Sequence, residues 1–116
     1  MTASTSMTAG AAGRYATALF ELASEQGELD QAETDLISLG QAIADSDDLG
    51  RVMRDAIYTR DEQSAAMAAV LERMGTSALV GNVIGLMAAK RRLFAVPQLI
   101  TIFQSLMAEH RGEVTA

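Results

Sequence analysis

The chain has 116 residues, of which 49% are apolar, which is enough for the core of one domain but short for two domains. Its formal net charge of −6 argues against a general attraction to nucleic-acid phosphates, and the lack of cysteine excludes disulfides and thiolate metal sites. Ala, Leu and Met supply most of the apolar residues, and because they are good helix formers the composition predicts an all-α protein.

The first twelve residues are small, polar and aperiodic, and they predict a disordered N-terminal tail over 1–12. They lack the charged start and the long apolar core of a secretory signal. The longest nearly continuous apolar run, residues 78–89, contains Asn82 and is shorter than the roughly 20 residues that a membrane span needs. We therefore expect a soluble domain without membrane insertion.

The first helix is predicted to begin at Arg14 and to end at Gly27, which is a typical residue for a helix C-terminus. Its apolar residues form two neighbouring stripes, one of Tyr15, Ala18, Leu19 and Leu22 and the other of Ala16, Phe20 and Ala23. An apolar surface this wide indicates that the helix buries more than one face.

The second helix is predicted to end near Ser46, with Glu33 and Asp35 facing outward. Asp47 is expected to cap a short third helix. The apolar seam of the second helix comprises Leu29, Ala32, Leu36, Leu39 and Ile43, and the inner face of the third comprises Leu49, Val52, Met53 and Ala56.

The segment 59–62, Thr-Arg-Asp-Glu, has the pattern of a capping box and predicts the start of a fourth helix that Gly75 closes. Ser77 is expected to cap a fifth helix over 78–93. Pro97 fits the first turn of a sixth helix, which Gly112 is expected to end. Six helices with short connections predict a compact six-helix bundle over 13–112, and 113–116 is expected to be the extended start of a linker or second domain.

No group of polar residues has the pattern of an active site. His110, the single histidine, has no orienting partner nearby in the sequence, and no phosphate-binding loop or zinc-binding HExxH motif occurs. The aspartates at 45, 47 and 48 lack the glycine and the terminal glutamate of a calcium loop. We therefore expect no catalytic residue, no cofactor and no metal, and we interpret Lys90-Arg91-Arg92 as solvated cations at a helix C-terminus.

The fifth helix is apolar around almost its whole circumference, and Gly81 and Gly85 lie four residues apart on it. A helix of this kind has to be covered on all sides. One interpretation is a central helix buried by its own neighbours. The other is that the first and fifth helices lie side by side and form an apolar groove for an amphipathic helix of a partner protein.

Three segments carry a family resemblance. Residues 14–23 read RYATALFELA, residues 82–88 read NVIGLMA and are followed by Arg92-Leu93 and by Pro97, and residues 111–116 read RGEVTA. In this order and spacing, they resemble the N-terminal part of the delta subunit of the bacterial F-type ATP synthase, whose mitochondrial counterpart is the oligomycin-sensitivity-conferring protein. Many members have Glu-Asn-Gly where this chain has Ala89-Lys90-Arg91.

The resemblance implies a non-catalytic, six-helix N-terminal domain of the peripheral stalk, or stator, which prevents co-rotation of the catalytic head. It further implies a location at the cytoplasmic face of the bacterial inner membrane. The expected partners are the N-terminal helix of an alpha subunit, bound between the first and fifth helices, and the b subunits, bound through a C-terminal region not included in these residues. In isolation the domain is expected to be a monomer.

Mapped onto this sequence, the resemblance predicts a partner-binding site on the first and fifth helices. Its residues are Tyr15, Ala18, Leu19 and Leu22 from the first helix and Val83, Gly85, Leu86 and Lys90 from the fifth. Ala18 and Gly85 would give room for close approach, Tyr15 would offer a hydroxyl at the rim, and Lys90 would meet an acidic group of the partner.

Two other function classes remain as alternatives to the stator. A helical regulatory or signalling adaptor that self-associates through the same faces would form a dimer that depends on concentration. A small helical enzyme or metal carrier would need polar groups converging in a pocket, which the sequence does not indicate.

Overall fold

The computed structural model describes the backbone of residues 10–115 and the side chains of residues 10–112. Within that range the chain forms six α-helices and no strand, so the predicted all-α bundle is confirmed. The helices are α1 (Ala11–Gln26), α2 (Leu29–Asp45), α3 (Asp47–Arg54), α4 (Arg60–Met74), α5 (Ala78–Ala89) and α6 (Val96–Thr115), with a 3-10 turn (Leu93–Ala95) between the last two.

The core is built around α6, which packs against α1 and α2. Its inward residues recur at helical spacing and are almost completely buried: Val96, Leu99, Ile102, Phe103 and Met107. The ring of Phe103 meets Phe20 of α1 edge-to-face, with centroids 5.7 Å apart. Leu19 of α1 and Leu36 and Leu39 of α2 complete the same cluster.

Local sequence signals set most helix ends. Gly27 and Gly75 adopt the left-handed conformation, with φ of 71° and 69°, and each ends a helix as predicted. The capping box is present in full, because Thr59 N–H donates to Glu62 Oε1 at 2.8 Å and Glu62 N–H donates to Thr59 Oγ1 at 3.0 Å. Ser77 caps α5 through Val80 N–H, as predicted.

Two predictions about α3 are wrong. Its N-cap is Ser46, whose hydroxyl accepts from Leu49 N–H at 3.1 Å, and Asp47 is already the first helical residue. Ser and Asp are about equally good caps, so the sequence alone did not separate the two positions. Ala56 was expected on the inner face, but α3 ends at Arg54 and Ala56 is exposed in the following turn.

The prediction that α5 continues to residue 93 is wrong. The helix ends at Ala89, and Arg91 takes a left-handed conformation with φ of 59°. Arg92 N–H then donates to Met87 O at 2.8 Å, which satisfies a carbonyl of the last turn. A non-glycine residue occupies the position where glycine usually ends a helix, so no local stop signal is visible there.

Both chain ends also differ from the prediction. The tail was placed over 1–12, but α1 begins at Ala11, while residues 1–9 lie outside the described residues. The sixth helix does not end at Gly112, since its backbone is helical through Thr115. One exposed glycine lowers helix propensity by only about 1 kcal/mol relative to alanine, which is not enough to stop a long helix.

Candidate partner-binding surface

Helices α1 and α5 pack against each other, and a polar contact defines how they are aligned. Arg92, just after the end of α5, donates from Nη1 to the hydroxyl of Tyr15 at 3.1 Å, with its guanidinium 6.0 Å from the ring centroid. Tyr15 belongs to the first half of α1. The start of α1 therefore lies beside the end of α5.

Apolar side chains remain exposed on both helices. Leu22 of α1 is 40% exposed and Leu86 of α5 is 48% exposed. Ala18, one turn before Leu22, is exposed, and Val83, three residues before Leu86, is half-buried. Since residues three and four apart share one side of a helix, each helix presents a short apolar stripe, and we call the pair of stripes the α1–α5 groove.

Leu19 departs from the predicted contact surface. It is 0% exposed and lies in the core cluster of the domain itself, so it has no surface to offer a partner. The sequence alone does not show that Leu19 is buried while Ala18 is exposed, because α1 is apolar on two adjacent stripes. Which of these side chains is buried depends on the neighbouring helices.

Gly85 is exposed, and a Cβ placed on it would meet nothing within 4 Å. At 3.6 residues per turn, it lies about 160° around the helix from Val83 and about 100° from Leu86. No contact within the domain therefore requires a glycine here. Its predicted role in the close approach of a partner stays a prediction.

The Tyr15 hydroxyl is already engaged within the domain, because it accepts from Arg92. The expected hydrogen bond from its rim position to a partner therefore competes with an internal contact. Tyr15 is half-buried and packs against the core.

The interpretation of Lys90-Arg91-Arg92 as three solvated cations is incomplete, because both arginines also form hydrogen bonds within the domain. Arg91 Nη1 donates to Tyr58 O at 2.7 Å and to Gln63 Oε1 at 3.0 Å. Gln63 is 5% exposed, and its amide donates to Val52 O at 2.9 Å. Lys90, at the C-terminal end of α5, is exposed, and Arg91 is exposed as well despite its hydrogen bonds.

Asp35 was expected to face outward, but it is 6% exposed. Its carboxylate accepts from Ser77 N–H at 2.9 Å and from Gln31 Nε2 at 2.9 Å. The bond to Ser77 joins the middle of α2 to the start of α5. Helical spacing could not reveal this contact, because its two residues are 42 positions apart in the sequence.

Glu33, also predicted to face outward, is half-buried and forms a bidentate ion pair with Arg111 of α6. The hydrogen bonds from Arg111 lower the pKa of the Glu33 carboxyl, and partial burial opposes that shift. The same pair raises the pKa of Arg111. This pair ties α2 to the end of α6.

A cavity of about 430 Å³ lies where the end of α1 approaches the end of α6. Leu29 and Met107 line it together with the polar groups of Asp30, His110 and Arg111. His110 packs edge-to-face on Phe20 at 5.9 Å, which accounts for its position without a catalytic role. Among residues 10–112, no three His, Asp or Glu side chains are placed to hold a metal ion.

No helix in the described part of the chain combines the length and the apolar character needed to cross a membrane.

Comparison with known proteins identifies the family. The sequence model of the ATP synthase delta (OSCP) subunit matches residues 11–116. The ATP synthase subunit delta of Ruegeria sp. (strain TM1040) is 49% identical over 111 residues, which are 96% of this chain and 60% of that protein. The subunit delta of Chelativorans sp. (strain BNC1) is 47% identical over 116 residues, which are 100% of this chain and 62% of that protein.

The subunit delta of Xanthobacter autotrophicus (strain ATCC BAA-1158 / Py2) is 48% identical over 107 residues, which are 92% of this chain and 53% of that protein. The chain thus spans less than two thirds of the length of these curated relatives. Because the family match extends over residues 11–116 and agrees with the three resembling segments, the chain belongs to the ATP synthase delta (OSCP) subunit family.

Proposed function

We propose that this domain is a non-catalytic part of the peripheral stalk of an F-type ATP synthase and that it binds the N-terminal helix of an alpha subunit in the α1–α5 groove. The proposed contact surface comprises Leu22, Leu86, Ala18, Val83 and Lys90. The observation that carries the proposal is the exposure of Leu22 and Leu86, 40% and 48%, on two packed helices of a delta-family chain.

The groove has the chemistry of a helix acceptor. Complete burial of an exposed leucine side chain contributes about 1.5–3 kcal/mol, so covering the exposed half of Leu22 and of Leu86 contributes roughly 1 kcal/mol each. The rest of the affinity has to come from the fit along the stripe, where the small side chain of Ala18 leaves room for a partner backbone. An amphipathic helix with apolar residues at three- and four-residue spacing matches such a surface.

The same chemistry suits a mechanical role. A stator has to hold the catalytic head still while the rotor turns, because co-rotation would lose the work of rotation. This requires slow dissociation under load, and buried apolar packing acts mainly on the dissociation rate. The domain would act at the cytoplasmic face of the membrane, and the b subunits would bind a C-terminal region outside these residues.

A titration with a synthetic peptide of the alpha N-terminus tests this proposal. Calorimetry should detect one peptide per chain, and amide signals of α1 and α5 should shift in NMR spectra. Ala18→Arg places a long charged side chain in the groove and should abolish binding while leaving the helical circular dichroism intact. The matched control is Ala68→Arg, on an exposed position of α4, which should bind the peptide normally. Normal binding by Ala18→Arg would show that the groove is misplaced.

Sedimentation separates the stator from the self-associating adaptor. We expect a monomer at all concentrations, since one copy per complex needs no self-association. A dimer that forms with rising concentration and that Ala18→Arg disrupts would favour the adaptor, because its own α1–α5 groove would then be the contact surface.

A further inference from the structure

The cavity where α1 and α6 end is separate from the α1–α5 groove. Its volume of about 430 Å³ lies within the roughly 300–1,000 Å³ of pockets that hold small organic ligands. None of its lining residues belongs to the contact surface proposed above. Ser24, which lines the cavity, lies about 200° around α1 from Leu22, so the cavity and the apolar stripe of α1 are on different sides of that helix.

Apolar side chains from two helices line the cavity. Leu29 at the start of α2 is half-buried, and Met107 of α6 is almost completely buried. Both belong to the packed interior of the domain or lie against it, so their positions are fixed before a ligand arrives. The thioether of methionine also makes favourable contacts with aromatic rings. This lining suits a ligand with a compact aromatic body.

The charged groups of the cavity favour a cation. Arg111 forms its bidentate pair with Glu33, and its Nη2 lies 3.6 Å from Oδ1 of Asp30. Two carboxylates therefore face one guanidinium, which leaves one negative charge in excess. The side chain of Asp30 lines the cavity and is 95% exposed, so its oxygens can accept from a further donor.

The end of α1 adds to this negative potential. Gly27, which lines the cavity, ends the helix in the left-handed conformation, and the last turn of α1 holds no basic residue. The last carbonyls of a helix carry partial negative charge and attract cations. His110, the remaining titratable group of the lining, packs on Phe20. Volume, apolar lining and charge together describe a site for a small amphiphilic cation.

We propose that this cavity binds small arylalkylammonium ions, with the aromatic ring against Leu29 and Met107 and the ammonium group donating to the carboxylate of Asp30. The proposal goes beyond the stator function and does not depend on it, because the two surfaces share no residue. A bound ligand would contact the end of α1, the start of α2 and the end of α6 together. It would therefore stabilise the folded domain by mass action.

Three probes of similar shape and different charge test this site: 2-phenylethylammonium, 2-phenylethanol and 3-phenylpropanoate. In NMR titrations of the 116-residue chain, the ammonium probe should shift the amide signals of Ser24, Leu29 and His110 saturably, with a Kd on the order of 1 mM for so small a ligand. The alcohol should bind more weakly and the carboxylate most weakly. Tighter binding of the carboxylate would show that Arg111 sets the charge preference and would overturn the proposal, as would an alcohol that binds as tightly as the ammonium probe.

Asp30→Asn tests the contact with the ammonium group. It should weaken binding of the ammonium probe by about two- to fivefold, which is the effect of losing one exposed charge contact, and should leave the alcohol unchanged. Asp45→Asn is the matched control, because it removes the same charge from an exposed position at the other end of α2. Equal binding of the ammonium probe by the two variants would contradict the assigned role of Asp30.

Ser24→Phe tests the location, since its ring would occupy the cavity. It should abolish the saturable shifts around Leu29 and His110, whereas Ser38→Phe, on an exposed position of α2, should bind the probe normally. Circular dichroism checks that both variants are folded. Normal binding by a folded Ser24→Phe variant, or no saturable shift in the unsubstituted chain, overturns the site.

Discussion

Asp35→Ala should destabilise the domain by roughly 1.5–3 kcal/mol. The carboxylate accepts two hydrogen bonds, from Ser77 N–H and from Gln31 Nε2, both at 2.9 Å. A bond to a charged group contributes about 1.5–3 kcal/mol, and both of these are only partly buried, so the lower end applies to each. Alanine recovers up to about 0.7 kcal/mol of helix propensity, which offsets part of the loss.

Urea unfolding followed by circular dichroism measures this loss as a lower midpoint with an unchanged slope. The melting temperature should fall by about 4 °C per kcal/mol for a chain of this size. Asp45→Ala is the matched control, since Asp45 is exposed at the end of the same helix and its removal should change stability by less than about 0.5 kcal/mol. A loss below about 1 kcal/mol for Asp35→Ala would refute the reasoning and show that water replaces the carboxylate at Ser77.

Four further predictions concern separate features. Thr59→Ala removes one half of the capping box and should lower the unfolding free energy by about 1 kcal/mol in the same urea assay. Phe103→Ala removes a fully buried ring and should lower the free energy of unfolding by about 3–5 kcal/mol, which a thermal melt would detect as a large fall in the melting temperature. Arg111 lowers the folded-state pKa of Glu33 below its ordinary value of 4.5, so the ion pair stabilises the fold at pH values above 4.5. This contribution is lost as the pH falls through the folded-state pKa. Glu33→Gln should therefore make the free energy of unfolding depend less on pH in that acidic range. Gly85→Ala should raise the free energy of unfolding by up to about 1 kcal/mol, because the added Cβ meets open space and alanine favours the helix. Calorimetry of this variant with the alpha peptide then tests the close approach, since a partner helix packed against Gly85 should bind the variant more weakly.

The helices could be predicted from the sequence because their signals are local. Apolar residues at helical spacing predicted the six helices. The predicted ends of α1 at Gly27 and of α4 at Gly75, and the predicted start of α4 at the capping box of Thr59, are correct. Where the local signal was weak, the predicted boundary was wrong. The end of α5 is the example, because Arg91 adopts the left-handed conformation at a position where a glycine would have indicated the helix end.

The polar contacts could not be predicted in the same way. Asp35 and Ser77 are 42 positions apart, and Arg92 and Tyr15 are 77 apart. Charged residues are rarely buried, so the sequence favours an exposed position for Asp35 unless its distant partner is known. The same dependence on tertiary neighbours explains why Leu19 and Ala18, adjacent in the sequence, could not be assigned to core and surface.

These distant polar contacts share a location, because they hold the two ends of α5. Asp35 binds the amide of Ser77 just before its first turn, and Arg91 and Arg92 bind α4 and α1 just after its last. The middle of α5 is held by apolar packing alone, through buried residues such as Ile84. Polar bonds at both ends fix the position of α5 relative to α1, α2 and α4 and leave the intervening apolar stripe open. A partner helix would then meet a preformed surface, so less ordering entropy would be lost on binding and the affinity would be higher.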